Sequence, residues 1–327
     1  MRNGWWPTTV CVGATALVFL LPGVAERLIA WPWLVALFVI GMPHGALDYV
    51  VHQRLRASAG QRTGLATFAG YLAVMGVSAL ILWAAPLAAV LLFFVLTAWH
   101  FGLADVLHAA GDRADDATQR RAATHALALC RGGLVLSVPF AAAPAAAWEP
   151  FAMLGAPAMD AQAAQVAAVV AVSTTAALLL GLVVLVNRNP AGFAEDAADR
   201  FLAETTAAAV MLFLVPPLLA VGVYFLGVHA AKHTHRLTRP PCSELLRTGG
   251  GEEPAWRRWV RAHRLGLWLL VPALLTVGVW ARFLDAPWTM RLAAASIGFY
   301  IISTAPHHHL GLRLPVEADA PKAQTSS

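Results

Sequence analysis

Apolar runs of roughly 20 residues recur along the chain and alternate with short polar or basic stretches. A helix needs a run of this length to cross the hydrocarbon core of a bilayer. The weakest run, 201–215, is short and ends at Pro216-Pro217, and a re-entrant segment there would leave nine spans. The pattern predicts an all-α, polytopic transmembrane helical bundle of about ten spans. These spans are 8–24, 30–51, 66–85, 86–108, 121–142, 163–187, 201–215, 217–236, 263–282 and 290–313.

The predicted spans follow one another without a linker, which predicts a single integral membrane domain over residues 1–314. Residues 315–327 are polar, and we expect this C-terminal tail to be disordered. The first apolar run has no convincing cleavage site and is interpreted as a span rather than as a signal peptide. The composition agrees, because 13% of the residues are charged, about half the fraction typical of a soluble domain.

The distribution of positive charge predicts the orientation of the bundle. In the ten-span arrangement, 18 of the 23 Lys and Arg residues lie on the side of the two termini and three lie on the opposite side; Arg131 and Lys232 lie within spans. Positive residues concentrate in cytoplasmic loops, so both termini are predicted to be cytoplasmic in a multi-pass protein of the cell membrane. Topology and lipid headgroups thus account for the basic residues, and no nucleic-acid partner is expected.

Four histidines are predicted to lie at one depth. His229 and His233 are four residues apart, so on a helix both imidazoles project from one face. His44 and His100 fall late in the second and fourth spans, which run in the same direction as the eighth. A lone histidine in a helix is often a packing residue, but four at one level are harder to explain in that way. His307 begins a run of three histidines late in the tenth span, and this run could also be a surface turn.

A layer of neutral imidazoles indicates a transition-metal site, because imidazole suits zinc, copper, iron and nickel. Four histidines on an octahedral ion would leave two adjacent positions open, which oxygen chemistry at ferrous iron requires. A closed zinc site would be structural, with little reason to lie inside a membrane. Two histidines on one helix face cannot flank a haem. Fe(II) is therefore the predicted cofactor, and the enzyme is predicted to use O2.

Two aspartates are candidates for contacts behind the metal ligands. Asp48 follows His44 by four residues and lies on the same helix face, where a carboxylate would orient the imidazole. Asp105 follows His100 by five residues and is a poorer fit for the same role, with a contact to a neighbouring helix as one alternative. Solvation at a helix end is the alternative for both. The aromatic residues that flank the histidines are candidates for the wall of an apolar substrate tunnel, with ordinary packing as the alternative: Trp99, Phe101, Tyr224, Phe225 and Tyr300.

Four short motifs resemble the Brp/Blh family of bacterial and archaeal β-carotene 15,15'-dioxygenases. They are PHGALD at 43–48, WHFGLAD at 99–105, HAAKH at 229–233 and PH at 306–307. The resemblance implies an integral membrane enzyme that uses ferrous iron and O2 to split β-carotene symmetrically into two retinals. It also implies that His44, His100, His229 and His233 hold the iron, and it suggests a functional link to a retinal-binding rhodopsin.

Two departures from the family pattern affect candidate residues. Tyr49 stands where family members often carry a histidine, which puts one contact behind the metal ligands in doubt. The PHHH sequence replaces a commoner single histidine, which leaves His307 open as either a ligand or a supporting residue.

Three other functions compete with the dioxygenase interpretation. A membrane di-iron desaturase or hydroxylase needs about eight histidines in several boxes, and this chain has one HxxxH. A non-enzymatic metal transporter would place ligands at several depths, whereas these histidines form one layer. A retinal-binding photoreceptor could use Lys232 for a Schiff base, but a snorkelling side chain is the preferred interpretation of that lysine.

Overall fold

The computed structural model describes residues 4–38, 41–61, 64–111, 121–189, 191–238, 242–245 and 254–314. Within these ranges the regular structure is entirely helical, with no β-strand, which confirms the predicted all-α class. The helices are α1 (Trp6–Leu20), α2 (Pro22–Leu28), α3 (Trp31–Phe38), α4 (Gly41–Ser58), α5 (Leu65–Ala84), α6 (Pro86–Ala110), α7 (Ala122–Ala142), α8 (Pro144–Met153), α9 (Ala161–Arg188), α10 (Glu195–Leu214), α11 (Pro217–Tyr224), a π-helix (Phe225–Ala230), α12 (Ala231–Leu237), α13 (Cys242–Leu245), α14 (Ala255–Ala281) and α15 (Trp288–Gly311).

Proline starts several of these helices, because its missing N–H would have no partner in the first turn anyway. Helices α2, α6, α8 and α11 all have proline in the first turn. Helix α9 uses other signals at its two ends. The side chain of Asp160 accepts a hydrogen bond from the backbone N–H of Ala163 at 2.7 Å, and Asn189 ends the helix in the left-handed region with φ of 47°.

The predicted count of about ten spans is not supported. Four helices of the described chain are long and apolar enough to cross a membrane, at 67–84, 86–110, 122–142 and 161–188, and the bent pair α1 and α2 would make a fifth. These two helices meet at an angle of 119°. Predicted span 217–236 is divided among three helical segments, and predicted span 201–215 lies on α10, which begins with the charged sequence EDAADR. Predicted span two includes residues 39–40, and the tail 315–327 and both termini lie outside the described residues.

Helices α6 and α7 form a close contact that fixes the helix carrying His100. A Cβ atom built on Gly102 would lie 1.7 Å from the backbone oxygen of Ala128, and one on Gly132 would lie 1.8 Å from that of Ala98. Only glycine allows two backbones to approach in this way, as is common between membrane helices. The two glycines therefore set the position of α6 against α7.

The outer helices present apolar side chains to their surroundings. On α5, Leu80 and Trp83 are 59% and 82% exposed, and on α9 Leu180 is 68% exposed. Large exposed apolar side chains on long apolar helices fit contact with lipid. Helices α4, α6, α12 and α15 lie further inside, and they carry the polar residues described next.

Candidate metal centre

Five imidazoles converge inside the bundle from α4, α6, the π-helix, α12 and α15. The ring centroid of His100 lies 4.8 Å from that of His229 and 4.6 Å from that of His307. The ring centroid of His44 lies 5.7, 5.1 and 5.0 Å from those of His229, His233 and His307, respectively. The structure thus brings together the four histidines singled out in the sequence and adds His307 to them.

Three of these residues have nitrogen atoms spaced as metal ligands. One ring nitrogen from each of His44, His100 and His307 lies within 4.8 Å of the others. The Nε2 atoms of His100 and His307 are 3.1 Å apart. Two nitrogen ligands in adjacent positions on one metal lie roughly 3 Å apart, because each bond is about 2.1 Å long. The donor set and its spacing therefore fit a transition metal.

His229 is fully buried, and neither of its ring nitrogens has a hydrogen-bond partner among the described residues. An unsatisfied buried polar group costs about 1–3 kcal/mol, so native proteins generally supply a partner. One face of the ring packs against Phe101, whose centroid lies 4.2 Å away. A bound metal would satisfy one nitrogen of this imidazole.

Asp48 joins two of the five imidazoles from behind. The carboxylate is fully buried, and its Oδ1 lies 2.7 Å from Nε2 of His233. Its Oδ2 lies 3.1 Å from Nδ1 of His307. A carboxylate accepts hydrogen bonds, so Nε2 of His233 donates and Nδ1 of that ring is the nitrogen left for a metal. Asp48 thus orients His233 and His307 and places one negative charge beside the cluster.

A mainly apolar cavity opens onto this cluster, and His44, His100, His229 and His307 all contribute to its lining. Phe101, Phe225 and Tyr300, three of the five tunnel candidates, also line it. The other two candidates have different contacts. Trp99 packs on His308 with ring centroids 4.3 Å apart, and Tyr224 donates a hydrogen bond to Asp105. Four of the five clustered histidines therefore face a space lined largely by hydrocarbon and aromatic side chains, and His233 is not part of that lining.

Comparison with known proteins gives a direct result for the family. The sequence model of the family described as beta-carotene 15,15'-dioxygenase matches residues 35–314. The chain belongs to the β-carotene 15,15'-dioxygenase family. It is 31% identical over 311 residues to the probable beta-carotene 15,15'-dioxygenase Blh of Halobacterium salinarum, covering 84% of this chain and 81% of the relative. No solved structure matches the chain. The family indicated by the four sequence motifs is thus confirmed.

One polar contact around the centre of this family member was not singled out in the sequence. His308 is buried, and its Nδ1 lies 3.2 Å from Nδ1 of His100. Trp99 covers the His308 ring and donates a hydrogen bond from Nε1 to Nδ1 of His125 at 2.9 Å. His307 lines the cavity, whereas His308, the next residue of α15, does not. The HHH run was the feature of the sequence that could have drawn attention to His308.

Lys232 does not snorkel, which corrects the preferred sequence-based interpretation of this side chain. It is 2% exposed, and its Nζ lies 3.0 Å from Oδ1 of Asp105 and 2.5 Å from Oε1 of Glu204. Hydrogen bonds to two carboxylates occupy this amine, which does not suit the free amine that would form a Schiff base. Asp105 thus contacts neighbouring helices, the role that the sequence analysis gave as an alternative to a contact behind His100.

A local break in helical geometry carries His229. Residues Phe225–Ala230 form a π-helix between α11 and α12, whereas the sequence predicted one uninterrupted span over 217–236. Single π-helical turns are rare and are frequent at functional sites. Hydropathy does not distinguish α from π geometry, so the sequence offered no signal for this turn.

Proposed function

We propose that this protein is an iron-dependent dioxygenase that cleaves the central 15,15' double bond of β-carotene with O2 and yields two molecules of all-trans-retinal. The observation that carries the proposal is the convergence of the histidine cluster on an apolar cavity. The family match and the name of the halobacterial relative support the choice of substrate and bond.

The proposed ligands of Fe(II) are His44, His100, His229 and His233, and His307 is the candidate for a fifth. The donor set is made of neutral nitrogen ligands with one carboxylate behind them, which suits iron better than magnesium or calcium. When bound, ferrous iron would supply the reaction with O2 that no amino-acid side chain can perform.

The protein's own contribution is binding, orientation and exclusion of water. Phe101, Phe225 and Tyr300 would hold the polyene beside the cluster, and Asp48 would keep two imidazoles oriented. The reaction adds both oxygen atoms of O2 across one C=C bond, which breaks to give two aldehydes. No proton is gained or lost, so no general base is required.

Access from the bilayer suits a substrate that dissolves in lipid. Leu72 of α5 lines the cavity and is also 47% exposed on the outer surface of that helix. The cavity therefore lies close to the lipid-facing side at α5, where β-carotene would enter. In this proposal the protein resides in the cell membrane, and its retinal would be available to a retinal-binding rhodopsin.

The test is expression in a bacterial strain that accumulates β-carotene, followed by chromatography of the extracted pigments. We expect loss of colour and appearance of retinal or retinol with the wild-type protein and iron, and no cleavage with His229→Ala. His309→Ala is the matched control, because that side chain is exposed and lies outside the cavity lining. Longer apocarotenals among the products would show that the enzyme cleaves a double bond other than the central one. Full activity of His229→Ala would overturn the proposed iron site.

A further inference from the structure

A network of four buried charges lies next to the histidine cluster and joins four helices. Asp105 of α6, Arg131 of α7, Glu204 of α10 and Lys232 of α12 are all 8% exposed or less. Arg131 Nη2 lies 2.9 Å from Oδ2 of Asp105 and 3.1 Å from Oε1 of Glu204. Lys232 bridges the same two carboxylates. Two positive and two negative charges therefore balance inside the bundle.

One carboxylate of this network contacts both ends of the π-helix. Tyr224, the residue before the π-helix, donates a hydrogen bond from its hydroxyl to Oδ2 of Asp105 at 2.6 Å. Lys232, the second residue after it, donates to Oδ1 of the same carboxylate at 3.0 Å. The six residues of the π-helix, with His229 among them, are thus enclosed between two hydrogen bonds to a single side chain.

This double contact depends on π geometry. In an uninterrupted α-helix, two residues eight positions apart are turned by about 80° relative to each other, since each residue adds about 100°. A π turn contains more residues than an α turn. It therefore reduces that angle and brings Tyr224 and Lys232 towards one face. Straightening the segment into an α-helix would pull one of the two donors away from Asp105 and would rotate His229.

We propose that the Asp105 carboxylate clamps the π-helix and so sets where His229 and His233 stand relative to His100. Asp105 lies on the same helix as His100, and Lys232 lies between His229 and His233 in the chain, so the clamp joins the two parts of the cluster directly. Asp105, Tyr224 and Lys232 are then positioning residues, which act through the histidines and do not touch the metal. This inference rests on the proposed metal site.

The competing explanation is that the network only stabilises the fold. Buried ion pairs contribute little net stability, whereas removing one partner is costly because the other charge is left buried. A single charge deletion would therefore disturb folding under either explanation. The decisive variants must therefore leave the charge balance intact, and their effect must be measured as a change in metal binding.

Tyr224→Phe is the first such variant, because it removes one end of the clamp without changing charge or shape. The matched control is Thr205→Val, which removes a buried hydroxyl next to Glu204 in the chain. Among the described residues, that hydroxyl donates its hydrogen bond within its own helix, to the backbone oxygen of Phe201. The purified full-length protein in detergent is titrated with Co(II), whose visible absorption reports coordination geometry, and its thermal unfolding is recorded. We expect a roughly tenfold weaker Kd and an altered spectrum for Tyr224→Phe, as for other residues behind metal ligands, and wild-type behaviour for Thr205→Val.

The second variant is the charge-balanced pair Asp105→Asn with Lys232→Met. We expect it to unfold at a higher temperature than Lys232→Met alone, yet to bind Co(II) roughly 10–100-fold more weakly than the wild type. Wild-type Kd and spectrum in this pair, or in Tyr224→Phe, would overturn the clamp. Failure of the wild-type protein itself to bind Co(II) or Fe(II) would instead overturn the proposed metal site.

Discussion

Two polar clusters lie side by side inside the helical bundle, and they differ in whether their charges and donor atoms find partners within the chain. The network of Asp105, Arg131, Glu204 and Lys232 pairs its charges within the chain. The histidine cluster leaves both nitrogens of His229 without a partner among the described residues and holds a single carboxylate. The first cluster pairs all four of its charges, although the Nε of Arg131 lacks a hydrogen-bond partner among the described residues. The second cluster has donor atoms and a negative charge left over for a cation. Burial alone does not distinguish a functional site from a structural one.

The largest expected effect is a loss of folding stability when one charge of the buried network is removed. Lys232→Met leaves two buried carboxylates with one cation, and we expect it to destabilise the protein by about 3–5 kcal/mol. His229→Ala removes a side chain whose nitrogens have no partners, so its unfolding midpoint should change far less while metal binding is lost. Thermal unfolding in detergent and metal content per folded protein test both. If His229→Ala were the less stable variant, the distinction between the clusters would be wrong.

The next largest effect concerns the close contact between α6 and α7, which fixes the helix that carries a residue of each cluster. Helix α6 carries His100 and Asp105, and Gly102 between them has no space for a Cβ atom. We expect Gly102→Ala to cost about 1–3 kcal/mol or more through overpacking against α7. Gly70→Ala on α5 is the control, since a Cβ atom there meets nothing within 4 Å. Equal unfolding midpoints for the two variants would contradict the close contact.

A smaller effect, on metal affinity, is expected from changing Asp48, which contacts two of the candidate metal ligands. Asp48→Asn keeps the shape of the side chain but removes the charge that faces His233 and His307. We expect metal affinity to fall roughly 10–100-fold with little change in unfolding temperature. Asp160→Asn is the control, because asparagine caps a helix as well as aspartate does. An Asp48→Asn protein with wild-type affinity in a metal titration would show that the carboxylate does not support the ligands.

The sequence predicted the helical class and the four converging histidines for different reasons. Helicity follows from the length of the apolar runs, and it holds although the span count does not. His44, His100 and His229 lie close together as predicted, although the prediction placed them at one depth with a span count that is not supported. The contacts of Lys232 could not be predicted, because Asp105 precedes it by 127 residues. The π-helix could not be predicted from the sequence either, because its residues are as apolar as those of an α-helix.

The smallest expected effect distinguishes the two histidines that follow His307. His308→Phe keeps a ring against Trp99 but removes the Nδ1 atom that lies 3.2 Å from Nδ1 of His100. If that contact fixes which nitrogen of His100 is left for the metal, affinity should fall by up to about tenfold. His309→Phe is the matched control, because His309 is exposed and one position further along the helix. Equal metal affinity in the two variants would mean that His308 only packs, and that the histidine cluster ends at His307.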